Sequence, residues 1–191
     1  SLRKRYDIEY VELVGRKHAE VLAEIQQCDF VVDQLNGEGP CGGLATEAAA
    51  LGKPAVVGTH TDDIWRMFAP DELPPVMRCE NDKVEEAIET LIVDRELRVD
   101  LGRRACEFVR RYWDAGEVAR RFLRVASGDV PPEWMYDPRA LRYVYGAGFT
   151  PRELRETLGR YLALGGVEAL QLADKPQLAS DLVAYAGGEA A

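Results

Sequence analysis

The stretch DFVVDQLNGEGPCGGLATEAAALGKPAVVG, residues 29–58, decides the fold. It contains two short apolar runs, Phe30–Val32 and Pro54–Gly58, which are separated by a glycine-rich loop at 36–43 and an alanine-rich run at 44–51. Continuous apolar runs of this length are typical of strands that are buried on both faces of a parallel sheet. The alanine-rich run is closed by a glycine, as helices commonly are. The stretch therefore predicts a strand, a loop, a helix and a second strand of an α/β protein.

Hydrophobic periodicity predicts further elements on both sides of this unit. They are a strand at Ile8–Val14, a helix at His18–Gln27, a short strand at Pro75–Arg78, and helices at 82–93, Leu97–Tyr112 and Val118–Val125. Each of the last three helices has one apolar face, which we expect to be buried. The predicted fold class is α/β, a Rossmann-like parallel sheet with flanking helices.

The texture of the sequence changes near a proline-rich joint at Asp129–Pro132. Residues 1–126 alternate strand-like and helix-like segments, whereas residues 127–191 have a helical pattern. We therefore predict a sheet domain at 1–126 and a helical C-terminal extension at 127–191. A capping-box threonine followed by Pro151 marks the start of a helix in the extension. The residues expected on the inner face of that helix are Leu154, Leu158, Tyr161 and Leu162.

The balance of charges excludes some classes of function. The chain carries 24 lysines and arginines against 33 aspartates and glutamates, which gives a net charge of −9. An acidic surface repels nucleic-acid phosphates and anionic lipid, so we expect no nucleic-acid partner. No apolar run approaches the ~20 residues that span a bilayer, so no transmembrane segment is predicted.

The four cysteines and two histidines lack the spacing of zinc or redox motifs. We therefore predict no metal site, and we expect reduced, partly buried thiols in a cytoplasmic protein.

The loop Gly37–Gly43 is the strongest local signal for chemistry, because it lies between a buried strand and a helix. Unpaired amides at a helix N-terminus bind phosphate, and glycines let the phosphate approach the backbone. The alternative is a tight connection in which the glycines only permit the turn. Residues 37–42 also spell G-x-G-x-x-G, and Asp62 lies twenty positions beyond Gly42. That spacing fits a dinucleotide fingerprint and hence an NAD-dependent oxidoreductase.

A second interpretation uses more of the chain. Residues 42–57, GGLATEAAALGKPAVV, resemble the G-L-x-x-x-E-A-M-A-x-G-x-P-V-V segment of GT-B glycosyltransferases, particularly retaining family 4. The preceding segments 16–25 and 28–32 look like the helix and strand before that loop, and residues 110–119 look like the family's closing helices. The resemblance covers about residues 8–126. It implies the C-terminal, donor-binding lobe of a two-lobed transferase.

The resemblance also implies a site for a nucleotide sugar, such as a UDP- or GDP-sugar, as substrate and without a separate cofactor. Glu47 would accept hydrogen bonds from the ribose hydroxyls, and Gly15 and Arg16 would border the base. Glu38 lies next to the position of the family's first glutamate, which falls on Gly39. The diphosphate would be held by the amides of Gly42, Gly43 and Leu44, and Gly39 and Cys41 are further donor-binding candidates.

No residue is assigned a catalytic role. His60, at the end of a predicted strand where α/β proteins bind ligands, is a further site candidate.

In the family, an upstream glycine turn, an Arg/Lys pair and an acceptor-binding lobe complete the site. The resemblance therefore implies a second polypeptide or N-terminal lobe as partner, and we expect the isolated chain to be a poor catalyst or none. A non-catalytic, glycosyltransferase-like interaction subunit is the first alternative, and the oxidoreductase is the second. Because a short sheet exposes an edge and a face, we also expect self-association, or coverage by the tail helices of residues 138–186.

Overall fold

The computed structural model describes residues 1–35, 37, 39–59, 65, 68–135, 137 and 151–188. These residues belong to two compact units. The first, here called the sheet unit, extends to Asp129, and the second, the helical unit, begins at Val130. None of the described helices is both long enough and apolar enough to cross a membrane.

The sheet unit contains a parallel three-stranded sheet with helices around it. Its elements in chain order are α1 (His18–Gln27), β1 (Val31–Val32), α2 (Gly43–Ala50), β2 (Ala55–Thr59), β3 (Met77–Glu80), α3 (Val84–Val93), α4 (Arg95–Tyr112) and α5 (Ala115–Ala126). The strand order is β1-β2-β3, with Val32 beside Val56 and Val57 beside Arg78. The prediction of an α/β protein with a parallel sheet and flanking helices is confirmed.

Strand β2 lies at the centre of the sheet, and all five of its residues are buried. Its side chains alternate between two cores, as the pleat of a strand requires. Val56 packs with Leu91 of α3 and Leu101 of α4, whereas Val57 packs with Ala45 of α2. Coverage on both faces explains why the sequence of β2 is continuously apolar.

Two glycines permit close backbone contacts around β2. A Cβ on Gly58 would lie 2.0 Å from the carbonyl oxygen of Leu35, and one on Gly102 would lie 2.2 Å from that of Gly52. The Gly58 amide also donates to the Gln34 carbonyl at 3.0 Å. The chain that leaves β1 therefore crosses the end of β2 before the glycine-rich loop begins, and α4 packs directly on the turn between α2 and β2.

The strand predicted at Ile8–Val14 is wrong, because this segment forms no strand. Its side chains point largely to solvent, and Val14 is 80% exposed. The chain just before this segment is held against α3, where Arg5 donates to both carboxylate oxygens of Glu89 at 2.6 and 2.9 Å. A β-prone sequence needs a neighbouring strand for its hydrogen bonds, and no described strand pairs with this one.

The burial expected for the last helix of the sheet unit is also wrong. Helix α5 forms, but none of its residues is buried, and Phe122 is 70% exposed. Val125 is exposed as well. The helical period of the sequence correctly predicts the helix, whereas burial depends on a neighbour that the described residues do not provide.

The helical unit contains α6 (Pro151–Gly165) and α7 (Pro176–Ala186), connected by a short 3₁₀ helix at Val167–Leu170. The helix start predicted at Pro151 is confirmed. Five side chains form the core of the pair: Leu154, Leu158, Leu178, Leu182 and Tyr185. Tyr161, which was expected on the inner face, is exposed instead, because α7 packs against the side of α6 that carries the two core leucines.

Candidate functional site

The N-terminus of α2 is bound by a carboxylate of the chain itself. Asp33, immediately after β1, accepts hydrogen bonds through Oδ2 from the amides of Gly42 at 2.9 Å and Ala45 at 3.1 Å. A Cβ on Gly42 would lie 2.7 Å from the same oxygen. A negative group here satisfies amides that a helix cannot satisfy internally and interacts favourably with the helix dipole. Gly42, predicted to bind a diphosphate, therefore donates to Asp33.

The first turn of α2 has two further amides, those of Gly43 and Leu44. Among the described residues, the amides of Gly43 and Leu44 have no hydrogen-bond partner. Gly43 is exposed, and a Cβ there would meet no atom within 4 Å. The start of α2 thus offers two donors at an open surface, beside a carboxylate that already occupies the other two.

Glu47 lies one helical turn beyond these donors. It stands four residues after Gly43, so the two residues share one face of α2. The opposite face of the helix is buried through Ala45, Ala48 and Ala49. The Glu47 side chain is 36% exposed. Its carboxylate is therefore on the same open side as Gly43, as recognition of a ligand that spans both would require.

Glu47 contacts a residue that the sequence did not assign to the site. Its Oε1 lies 2.8 Å from Nε2 of His18, the first residue of α1. Because an ionised carboxylate only accepts hydrogen bonds, Nε2 carries the hydrogen in this pair. The two residues are 29 positions apart, and only the packing of the helices brings them together. No local sequence signal predicts such a contact.

Gly15 and Arg16, predicted to border a base, lie just before α1. Gly15 adopts a left-handed φ of 66°, where glycine is favoured, and the chain turns there into the helix. The Arg16 guanidinium lies 3.8 Å from Glu20 on α1, at the surface. It is thus His18, rather than Arg16, whose side chain contacts α2.

Cys41 and Gly39 complete the described part of the loop. Cys41 packs against the core formed by Ala45 and Val57, and its Sγ lies 3.6 Å from Thr46 Oγ1. Burial raises the pKa of the Cys41 thiol, which keeps it protonated at neutral pH. Gly39 is exposed, with open space around its Cα. The side chain of Cys41 is therefore part of the packing around the loop.

Three residues from the sequence hypotheses, Glu38, His60 and Asp62, lie outside the described residues. Gly37, the first glycine of the dinucleotide pattern, is buried and pairs with Thr59 as an extension of the sheet. In the described part of the chain no group of three or more histidine, cysteine or acidic side chains could hold a metal.

A separate cavity of about 490 Å³ lies where β2 and β3 end. It is lined by Thr59 and Arg78 and by residues of α3, and none of the predicted site residues contributes to it. Lys83 at its edge is 3.3 Å from Glu80, so opposite charges already compensate each other. The lining also contains Arg78 and Glu86, so its formal charges balance.

Comparison with known proteins adds no assignment. No family model matches the chain, no curated protein matches it, and no solved structure matches it.

Proposed function

We propose that the chain is a donor-binding lobe of a GT-B glycosyltransferase, in which α2 holds the nucleoside-diphosphate part of a nucleotide sugar. The observation that carries the proposal is the open face of α2. There the amides of Gly43 and Leu44, which have no partner among the described residues, lie one turn from the partly exposed carboxylate of Glu47. The resemblance of residues 42–57 to the family segment supports the same positions.

Each group on this face suits one part of the ligand. Amides at a helix N-terminus bind phosphate oxygens through hydrogen bonds and through the positive end of the helix dipole. A carboxylate accepts hydrogen bonds from the two hydroxyls of a ribose. The same amides would stabilise the diphosphate as it leaves, which is the electrostatic contribution that such a transfer needs most. The resemblance implies that the glycosyl group is transferred with retention.

Asp33 limits the strength of this site. Its carboxylate already uses the amides of Gly42 and Ala45 and repels a second anion at the same turn. A diphosphate bound there therefore needs cations in addition to the two remaining amides. The family resemblance implies an Arg/Lys pair for that purpose, supplied by a partner polypeptide or lobe. We accordingly expect the chain to bind a nucleoside diphosphate weakly by itself.

Calorimetric titration of the chain with UDP, GDP, UDP-glucose and NAD tests the proposal. We expect one nucleoside diphosphate to bind, and Glu47→Ala to weaken it by ~1–3 kcal/mol, the usual effect of losing a hydrogen bond to a charged group. Glu24→Ala is the matched control, since Glu24 is an exposed glutamate on α1. It should leave the affinity unchanged.

The other outcomes separate the alternatives. Binding of NAD that is lost in Asp62→Ala would replace the proposal by an oxidoreductase. Absence of binding by every ligand, together with tight association with a partner chain, would replace it by a non-catalytic interaction subunit. Equal weakening by Glu47→Ala and Glu24→Ala would show that the effect is not specific to α2.

A further inference from the structure

We propose that His18 is a positioning residue for Glu47, which holds this carboxylate in the orientation that receives the ribose hydroxyls. This inference rests on the proposed function and goes beyond it, because neither the sequence nor the family resemblance gave His18 a role. It assigns to the start of α1 a part in ligand selection.

The contact between His18 and Glu47 leaves one carboxylate oxygen open. The 2.8 Å contact uses Nε2 of His18 and only Oε1 of Glu47, and Oε2 has no partner among the described residues. One carboxylate oxygen is thus fixed while the other stays open to a ligand. Since a glutamate side chain has several rotatable bonds, fixing one oxygen reduces the conformations that binding must select.

The contact between His18 and Glu47 contributes little to the stability of the fold. The side chains of His18 and Glu47 are 68% and 36% exposed, so water screens the interaction. Exposed pairs of this kind have small effects on stability. An ordered contact between two helices at the edge of a proposed binding face is better explained by orientation of the carboxylate than by stabilisation of the protein.

The backbone just before α1 brings His18 to Glu47. Gly15, with its left-handed φ, precedes α1 by three residues and sets the direction in which the chain enters the helix. Lys17 then takes an extended conformation as the N-cap, and His18 opens the helix. Gly15, which the family resemblance places beside the base, thereby acts on the proposed site through the position of His18.

The experiment compares three substitutions of His18 by titration with UDP and GDP. His18→Ala removes the donor, and we expect about a three- to tenfold loss of affinity, the effect of freeing one flexible side chain. His18→Gln keeps an N–H donor at about the reach of Nε2 and should restore most of the affinity. His18→Asn has the same amide on a shorter side chain and should behave like His18→Ala.

A second ligand separates positioning from a general disturbance of the site. With the 2′,3′-dideoxy counterpart of whichever nucleotide binds, Glu47 has no hydroxyl to receive, so His18→Ala should cause no loss. A loss that is equal for both ligands would overturn the inference, since it would indicate direct contact with the ligand or local unfolding. Circular dichroism and the thermal unfolding of each variant check that its overall fold is retained.

Failure of this inference differs from failure of the proposed function. If the wild-type chain binds neither UDP nor GDP, the proposed function fails and the role of His18 fails with it. If UDP or GDP binds and Glu47→Ala weakens it while His18→Ala does not, the proposed function stands and only the positioning role is overturned.

Discussion

The two faces of α2 differ in how much freedom they leave to the chain. On the buried face, Ala45, Ala48 and Ala49 meet the sheet and α4, and nearby Gly102 approaches the Gly52 carbonyl too closely for any side chain. On the open face, a Cβ on Gly43 would meet no atom within 4 Å, and Oε2 of Glu47 has no partner among the described residues. One short helix thus separates the contacts that stabilise the fold from the groups of the proposed binding face.

The largest effect should come from the buried side. Gly102→Val would place a Cβ only 2.2 Å from the Gly52 carbonyl oxygen, far inside van der Waals contact. We expect a loss of about 2–3 kcal/mol or more in the free energy of unfolding, as for other overpacked sites. Urea unfolding followed by circular dichroism measures it. Gly159→Ala in α6 is the control: its Cβ would meet no atom within 4 Å, so it should raise stability by about 0.5–1 kcal/mol.

Substitution of Asp33 should have a smaller effect on stability than Gly102→Val, together with an effect on ligand affinity. Asp33→Ala leaves the amides of Gly42 and Ala45 without their acceptor, and we expect it to destabilise the chain by about 1–2 kcal/mol. Asp33→Asn keeps an acceptor oxygen and removes the negative charge. It should lose less stability and bind UDP or GDP more tightly than the wild type. An unchanged or lower affinity in Asp33→Asn would contradict the repulsion that we assign to this carboxylate.

Substitutions on the open face should affect ligands and leave stability nearly unchanged. For Glu47→Ala and His18→Ala we expect less than about 0.5 kcal/mol in the free energy of unfolding, because the pair is exposed. Thermal unfolding of each variant, compared with its titration, checks this. A large drop in stability would mean that the pair supports the fold, and the distinction between the two faces of α2 would fail.

The smallest effect is expected at Glu89, a partly buried residue of α3 that is remote in sequence from the proposed site. The hydrogen bond from Tyr6 and the contacts with Arg5 hold the pKa of Glu89 below its ordinary value of 4.5. Because folding lowers this pKa, the ionised carboxylate stabilises the folded protein at pH values above 4.5. This stabilisation is lost as the pH falls through the lowered pKa. The melting temperature of Glu89→Gln should therefore lie slightly below that of the wild type at about pH 7 and converge with it in acid. A difference that persists unchanged in acid would exclude the charge as its cause.

The part of the fold that follows from local pattern was predictable. The strand, loop, helix and strand of residues 29–58 form as expected, because continuous apolar runs and an alanine-rich run determine local structure directly. Ile8–Val14 did not follow its β propensity, since a strand requires a partner. The apolar face of α5 likewise predicts a helix correctly and its burial wrongly.

The candidate site was predictable only where one helix carries it. Gly43 and Glu47 share a face because they are four residues apart, and sequence spacing alone gives that relation. Asp33 and His18 reach the site across turns and between helices, so their roles depend on packing that no local pattern encodes. The position of Asp33, an acidic residue directly after a predicted buried strand, is the one sequence feature that could have indicated its role.

The carboxylate of Asp33 also bears on which anions this turn admits. An anion that approaches the start of α2 meets the Asp33 carboxylate. Simple anions such as chloride or inorganic phosphate therefore gain little from two amides alone. We expect a ligand to offset this repulsion only through further contacts, namely cations beside its phosphates together with hydroxyls that donate to Glu47. In the proposed site, Asp33 thus competes with a bound anion for the amides at the start of α2, and we expect small, simple anions to be selected against.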